Sequence, residues 1–298
     1  MAEKNTGTGH GEIDAHSGQT TTGHEWDGIK ELNTPLPRWW LLTLYATIIW
    51  SVGYWVIYPA WPLISSNTTG IIGYSSRADV IADVKAANDA KAGNNAKLAA
   101  ASFEDLSKTP ELLTFTLAQG KAAFSNNCAP CHGAGAGGSK GFPNLNDDDW
   151  LWGGKLDDIV LTLQHGIRAV DDDQTRISLM PSFGKDGTLK PAEISNVADY
   201  VRSLSKLPAE KGSDLSAGAK VFAENCAACH GEEGKGNPEM GAPNLTDPIW
   251  LYGSAKADIV QTVTNGRGGV MPAWGKRLDP ATVKALAVYV YSRGGGRK

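Results

Sequence analysis

Basic excess, long apolar runs and sulfur are all in short supply in this 298-residue sequence. The net charge is −4 and the pI is near 5.9, so the basic footprint that nucleic acid requires is missing and that class of partner is excluded. No basic segment leads at once into an apolar core and a small-residue cleavage site, so a cleaved signal peptide is not indicated. A single stretch is long and apolar enough to cross a bilayer. Residues 77–110 hold few large apolar side chains, too few for a core of their own. Four cysteines and four methionines are present, one of them Met1, so each sulfur carries information. Glycine is the exception, with 35 residues, many of them around the cysteines and in loops. Such positions let backbone pass close to a flat group. The length allows about two domains with separate cores.

All four cysteines fall in two copies of one motif. The first is Asn127-Cys128-Ala129-Pro130-Cys131-His132-Gly133, and 98 positions later comes Asn225-Cys226-Ala227-Ala228-Cys229-His230-Gly231. Two thiols set three apart and followed at once by histidine suit attachment of a c-type haem: each thiol forms a thioether with a vinyl group, and the imidazole lies under the iron. One zinc shared between the pairs would need them roughly 15 to 20 residues apart, far closer than here. A redox dithiol explains neither the duplication nor the histidines. The expected cofactors are two covalently bound haem c groups. Cys128 and Cys131 hold one and Cys226 and Cys229 the other, with His132 and His230 as proximal iron ligands.

Residues 1–36 read as an N-terminal tail, polar and mobile over 1 to about 25. His10, His16 and His24 share no helical face and read as solvated. From Trp39 to Ile57, 19 residues carry no charge, which matches the ~20 needed to span the hydrocarbon core. Trp39, Trp40, Tyr58 and Trp61 stand at the two ends as interfacial aromatics do, and Pro37 and Pro59 mark the limits of an anchor over 37–62. Lys30 and Arg38 precede the span, and the next basic residue is Arg77. The positive-inside bias then puts the N-terminus in the cytoplasm and everything after the span in the periplasm. Residues 63–110 read as a helical periplasmic connector, either lying against the first haem domain or offering a docking surface.

The remainder repeats. Pro143-Asn144-Leu145 returns as Pro243-Asn244-Leu245, Trp150-Leu151 as Trp250-Leu251, Asp158-Ile159-Val160 as Asp258-Ile259-Val260, and Met180-Pro181 as Met271-Pro272. The first copy carries nine extra residues between Gly166 and Met180. Domain boundaries are expected at 111–207 and 208–298, each copy running helix, haem motif, Gly-rich loop, helix, Met loop, helix. Met180 and Met271, at equivalent places in two loops, are the expected second axial ligands; a thioether favours reduced iron and raises the potential. Repeat spacing leaves open which methionine serves which haem. Met240 reads as packing. His165, whose counterpart is Asn265, reads as structural, with a propionate hydrogen bond as its candidate role. Asp147-Asp148-Asp149 and Asp171-Asp172-Asp173 read as solvated acidic surface, with steering of a basic donor as the sharper hypothesis.

Each copy resembles the class I cytochrome c fold, so the expected class is all-α: one N-terminal transmembrane helix followed by two such domains. The run Trp26-Asp27-Gly28-Ile29-Lys30-Glu31-Leu32-Asn33-Thr34-Pro35-Leu36-Pro37-Arg38-Trp39-Trp40, with Tyr45-Ala46-Thr47-Ile48-Ile49-Trp50 and Tyr58-Pro59-Ala60-Trp61-Pro62, closely resembles the anchor of the dihaem subunits of cbb3-type cytochrome c oxidases, the CcoP/FixP family. That resemblance implies a bacterial inner-membrane electron-transfer subunit rather than an enzyme in its own right. Its partners would be a periplasmic donor cytochrome c, a monohaem cytochrome subunit and the haem-copper catalytic subunit that reduces O2. An anchored dihaem carrier for another respiratory complex and a dihaem peroxidase are the alternatives. A haem-based gas sensor would need an output domain, and none follows.

Overall fold

The computed structural model describes residues 11–294. It separates into two compact units, Met1–Ala87 and Asn88–Lys298.

In the first unit, β1 (Thr21–Trp26) and β2 (Ile29–Leu32) form an antiparallel hairpin. Asp27 and Gly28 both have positive φ, 48° and 85°, as the two central residues of a primed hairpin turn must. The expectation of a mobile tail over 1 to about 25 is therefore corrected from residue 21 on, and residues 1–10, His10 included, lie outside the described residues. The all-α expectation is corrected too, since the described residues include this two-stranded sheet. Helix α1 (Arg38–Ile57) follows, apolar all round, and none of its residues is buried by protein. Its hydroxyls do not need water: Thr43, Thr47 and Ser51 donate to the carbonyls of Trp39, Leu44 and Thr47, as a lipid-exposed helix demands. At its far end Ile71 and Ile72 donate to the carbonyls of Val56 and Ile57, so orphan acceptors are met by chain folding back. Tyr54 stacks on Tyr58 there, Tyr58 meets Tyr74 edge-on, and Trp55 packs on Trp61, with ring centroids 4.8–5.4 Å apart.

Helix α2 (Ser76–Ala100) ends in the second unit, followed by α3 (Phe103–Lys108), α4 (Pro110–Asn127), α5 (Ala129–His132), α6 (Leu156–His165), α7 (Pro191–Leu204), α8 (Leu215–Asn225), α9 (Ala227–His230), α10 (Lys256–Asn265) and α11 (Pro280–Ser292). The helices do not pack repeat by repeat. Helix α4, from the start of the first copy, crosses α11, from the end of the second, while α7 crosses α8. Glycine permits both crossings: a Cβ on Gly120 would stand 2.3 Å from the Ala285 carbonyl oxygen, and one on Gly218 2.3 Å from that of Asn196. Beside them Phe124 meets Tyr289 and Tyr200 meets Phe222, each pair with centroids 5.4 Å apart.

Two cores result. One joins Phe124, Cys128, Ile159 and Leu163 of the first copy to Val283, Leu286 and Val290 of the second. The other is a contiguous stretch, running from Met180 and Leu189 through Val197, Val201, Phe222 and Ile259 to Val263. We call these the outer and inner halves. The inner core draws residues from both sides of position 207/208. Residues 63–110 contribute in part: Leu98 and Leu106, buried, pack on Ala281, Ala285 and Val288 of α11 and so extend the outer half.

Candidate haem centres

Each Cys-x-x-Cys-His run forms one helical turn, α5 or α9, set directly on the end of α4 or α8. The Cys128 and Cys226 amides close the longer helices by donating to Phe124 and Phe222. The His132 and His230 amides donate to the Cys128 and Cys226 carbonyls at 2.9 and 3.0 Å. Each imidazole then meets the carbonyl of the proline that the repeat supplies: His132 Nδ1 to Pro143 and His230 Nδ1 to Pro243, both at 3.0 Å. A carbonyl can only accept, so the proton sits on Nδ1 and Nε2 is left with its lone pair for a metal. Burial lowers the His230 pKa, against the opposing Pro243 carbonyl, and keeps the ring neutral as ligation requires.

The thiols fit attachment better than exchange. Burial, with Cys131 adding, pushes Cys128 up to about 11; burial, with Cys229 adding, does the same for Cys226. A redox dithiol needs a depressed pKa. No cluster of three or more His, Cys, Asp or Glu able to hold a metal occurs among the described residues. A haem also fits a polar atom left over: Trp150 Nε1 donates to the Asp147 carbonyl at 3.1 Å, whereas Trp250 Nε1 is buried without a partner.

The methionine loops cross between halves. Met271 packs in the outer core with Cys128, and Met180 in the inner core with Cys226. Two antiparallel bridges hold them: the Met271 and Ile167 amides exchange hydrogen bonds with each other's carbonyls (3.0 and 2.9 Å), and Met180 does so with Arg267 (2.9 and 3.1 Å). The loops therefore lie beside the C-terminal glycines of α6 and α10, Gly166 and Gly266.

Arginines missed by the sequence reading complete the pattern. Arg267 lies over the Tyr252 ring at 4.1 Å and donates to Thr262 Oγ1; Arg176 lies over Trp152 at 5.2 Å and donates to Thr162 Oγ1. Arg176 precedes Met180 by as much as Arg267 precedes Met271, so the nine extra residues are 167–175. The two halves also touch at their loops, where the Gly141 amide donates to the Leu251 carbonyl at 2.8 Å and Trp152 packs on Gly241.

Two readings of charge change. Asp149 is not solvated surface: burial first, then Asp247 and Asp147, push its carboxyl up to about 6. In the second run Asp171 faces Arg277 at 3.4 Å and Asp172 faces His165 Nδ1 at 3.0 Å. Those partners leave less free charge for steering, and Asp172 occupies one of the two ring nitrogens of His165. Met240 is half-exposed, in keeping with a non-ligating place.

Comparison with known proteins supplies the family. The family model for the N-terminal domain of cytochrome oxidase-cbb3, FixP, matches residues 18–65, that for cytochrome c residues 117–205, and that for cytochrome c oxidase, cbb3-type, subunit III residues 213–290. The cbb3-type cytochrome c oxidase subunit FixP of Bradyrhizobium sp. (strain ORS 278) is 62% identical, with 97% of this chain and 99% of the relative covered. FixP of Bradyrhizobium diazoefficiens is 61% identical, covering 97% of this chain and 100% of the relative. CcoP of Azospirillum brasilense is 52% identical, covering 96% and 99%. Two cytochrome c domains with two Cys-x-x-Cys-His motifs make a dihaem cytochrome c. Matched over nearly its whole length at such identities, the chain belongs to the FixP/CcoP family of cbb3-type cytochrome c oxidase subunits.

Proposed function

We propose that the chain is the anchored electron-entry subunit of a cbb3-type oxidase, accepting electrons from a periplasmic donor cytochrome c. It hands them to the monohaem subunit, and so to the haem-copper catalytic subunit. Haem c, when bound, supplies one-electron iron chemistry. The protein's part is to hold, orient and shield. Cys128 and Cys131, and Cys226 and Cys229, supply the thioether sulfurs. His132 and His230 offer Nε2, each oriented by a proline carbonyl. Met271 would complete the iron site of His132, and Met180 that of His230.

The observation carrying this reading is the crossing of the methionine loops, which brings each thioether into the core of the other copy's Cys-x-x-Cys-His run. If His132 with Met271 and His230 with Met180 hold the two irons, no position would be left for peroxide or a gas. The helix α1 serves as the anchor, and the Lys and Arg bias supports a cytoplasmic N-terminus with the haem unit in the periplasm of a bacterial inner membrane. The test is an optical redox titration of membrane-extracted protein with identification of what co-purifies. Two low-spin, methionine-ligated c haems with an oxygen-consuming haem-copper oxidase are expected. A high-spin c haem with peroxide turnover would overturn the reading, and two low-spin haems without an oxidase would make the chain a carrier for another complex.

A further inference from the structure

Arg168 lies in the nine-residue segment that only the first copy has, and the side chain reaches both methionine loops. Its Nε donates to the Gly269 carbonyl at 2.6 Å, and its Nη1 donates to the Ser178 carbonyl. Gly269 stands two residues before Met271, and Ser178 two residues before Met180. One guanidinium therefore grips the same point of two loops that paired backbone amides also join. The residue is held for this: its amide donates to the Arg176 carbonyl at 2.7 Å, the Ala169 amide donates to Thr175 Oγ1 at 2.9 Å, and its backbone sits at φ 51°, a conformation side chains rarely adopt. Its donors go to carbonyls rather than to a carboxylate, and a planar fork suits two acceptors at fixed spacing where lysine would offer a point charge. Arg176 and Arg267 have a counterpart in each other; Arg168 has none, because one side chain serves both loops.

We propose that Arg168 is a positioning residue for both iron centres, locking the Met180 and Met271 loops to each other so that the two ligations are set as a pair. This rests on the assignment of the methionines as axial ligands. A cation shared between the loops would also favour the ferrous state of a haem held beside either loop, since it opposes the gain of positive charge on oxidation.

The test uses the full-length, haem-loaded protein extracted with its complex, and reads the charge-transfer band of methionine-ligated ferric haem together with the two midpoint potentials. Arg168→Asn suits the left-handed backbone but is too short to span the loops. It is expected to weaken the band of both haems and to lower the reduced-to-oxidised ratio of both at fixed potential by about tenfold, or about 59 mV for one electron. Arg168→Lys, keeping charge without the fork, is expected to restore the potentials more than the bands. A change confined to one haem, or absent from both, overturns the proposal. If Arg168→Asn does not accumulate, Arg168→Lys decides alone: weaker bands at both haems support the fork, and unchanged bands overturn it. Met180→Leu and Met271→Leu separate the two failures. If they leave the band intact, the ligand assignment falls and this proposal with it; if they abolish it while both Arg168 variants are silent, only this proposal falls.

Discussion

The carbonyl oxygen of Met271 lies 2.3 Å from the point where a Cβ on Gly166 would stand, and that of Met180 lies 2.5 Å from the same point on Gly266. Each glycine ends a helix at positive φ, 66° and 70°, and so admits the loop of the opposite copy. Gly166→Ala is expected to cost about 1–3 kcal/mol through strained backbone alone, and to weaken methionine ligation at the haem of His132 more than at that of His230. Gly266→Ala should do the reverse. Redox titration resolving two waves checks this; a change at the wrong haem would mean the methionines serve their own copies.

The exposed linker around Pro208–Gly212 joins two copies whose helices also pack on one another, α7 on α8 and α4 on α11. A single proteolytic cut there is expected to leave both fragments together through gel filtration, because α4 remains packed on α11 and α7 on α8. Two domains folded copy by copy would separate.

Close helix crossing sets a third expectation. Gly120→Val places side-chain atoms against the Ala285 carbonyl and Tyr289 Cβ, the latter 2.6 Å from a Cβ. Overpacking of this kind costs about 1–3 kcal/mol or more. Thermal melts followed at the haem absorbance should show the outer half affected first.

Asp199, fully buried, binds Lys256 Nζ at 2.7 Å and also accepts from Ser213. Burial alone pushes its carboxyl up, but the hydrogen bonds from Lys256 and Ser213 more than offset that and leave it below the usual carboxylate range. The hydrogen bond to Asp199 in turn raises Lys256 above its ordinary value. A lowered acid gives stability that is present above its unfolded pKa and lost as pH falls through the folded one; a raised base gives stability lost as pH rises through its folded value. The pair's stabilisation should therefore be fully present at neutral pH and be lost at the extremes. Asp199→Asn, which leaves Lys256 with Glu210 at 3.0 Å as its carboxylate partner, should cost about 1–3 kcal/mol at neutral pH, and denaturant melts against pH would show the acid limb flattened.

Motif and repeat were legible in the chain: duplicated cysteines and histidines gave the cofactor, and Met180 and Met271 stood out by scarcity. Partner choice was not legible, because helices of two homologous copies present near-identical apolar faces, and periodicity cannot say whether Phe124 meets Tyr200 or Tyr289. The hairpin had a signal, Asp27-Gly28 between Trp26 and Ile29, outweighed by the polar composition around it. Arg168 had none, since its role depends on two loops 91 positions apart meeting at Gly269 and Ser178.

Time is the consequence of the α4–α11 crossing. Synthesis runs from the N-terminus, so Cys128 and Cys131 emerge long before Leu286 and Val290, the residues that cover their side of the core. The pocket that is made first is the last that can shut. The inner half, built from one continuous stretch, can close while the chain is still growing. Haem delivery to the first motif thus has a long open interval, and delivery to the second a short one.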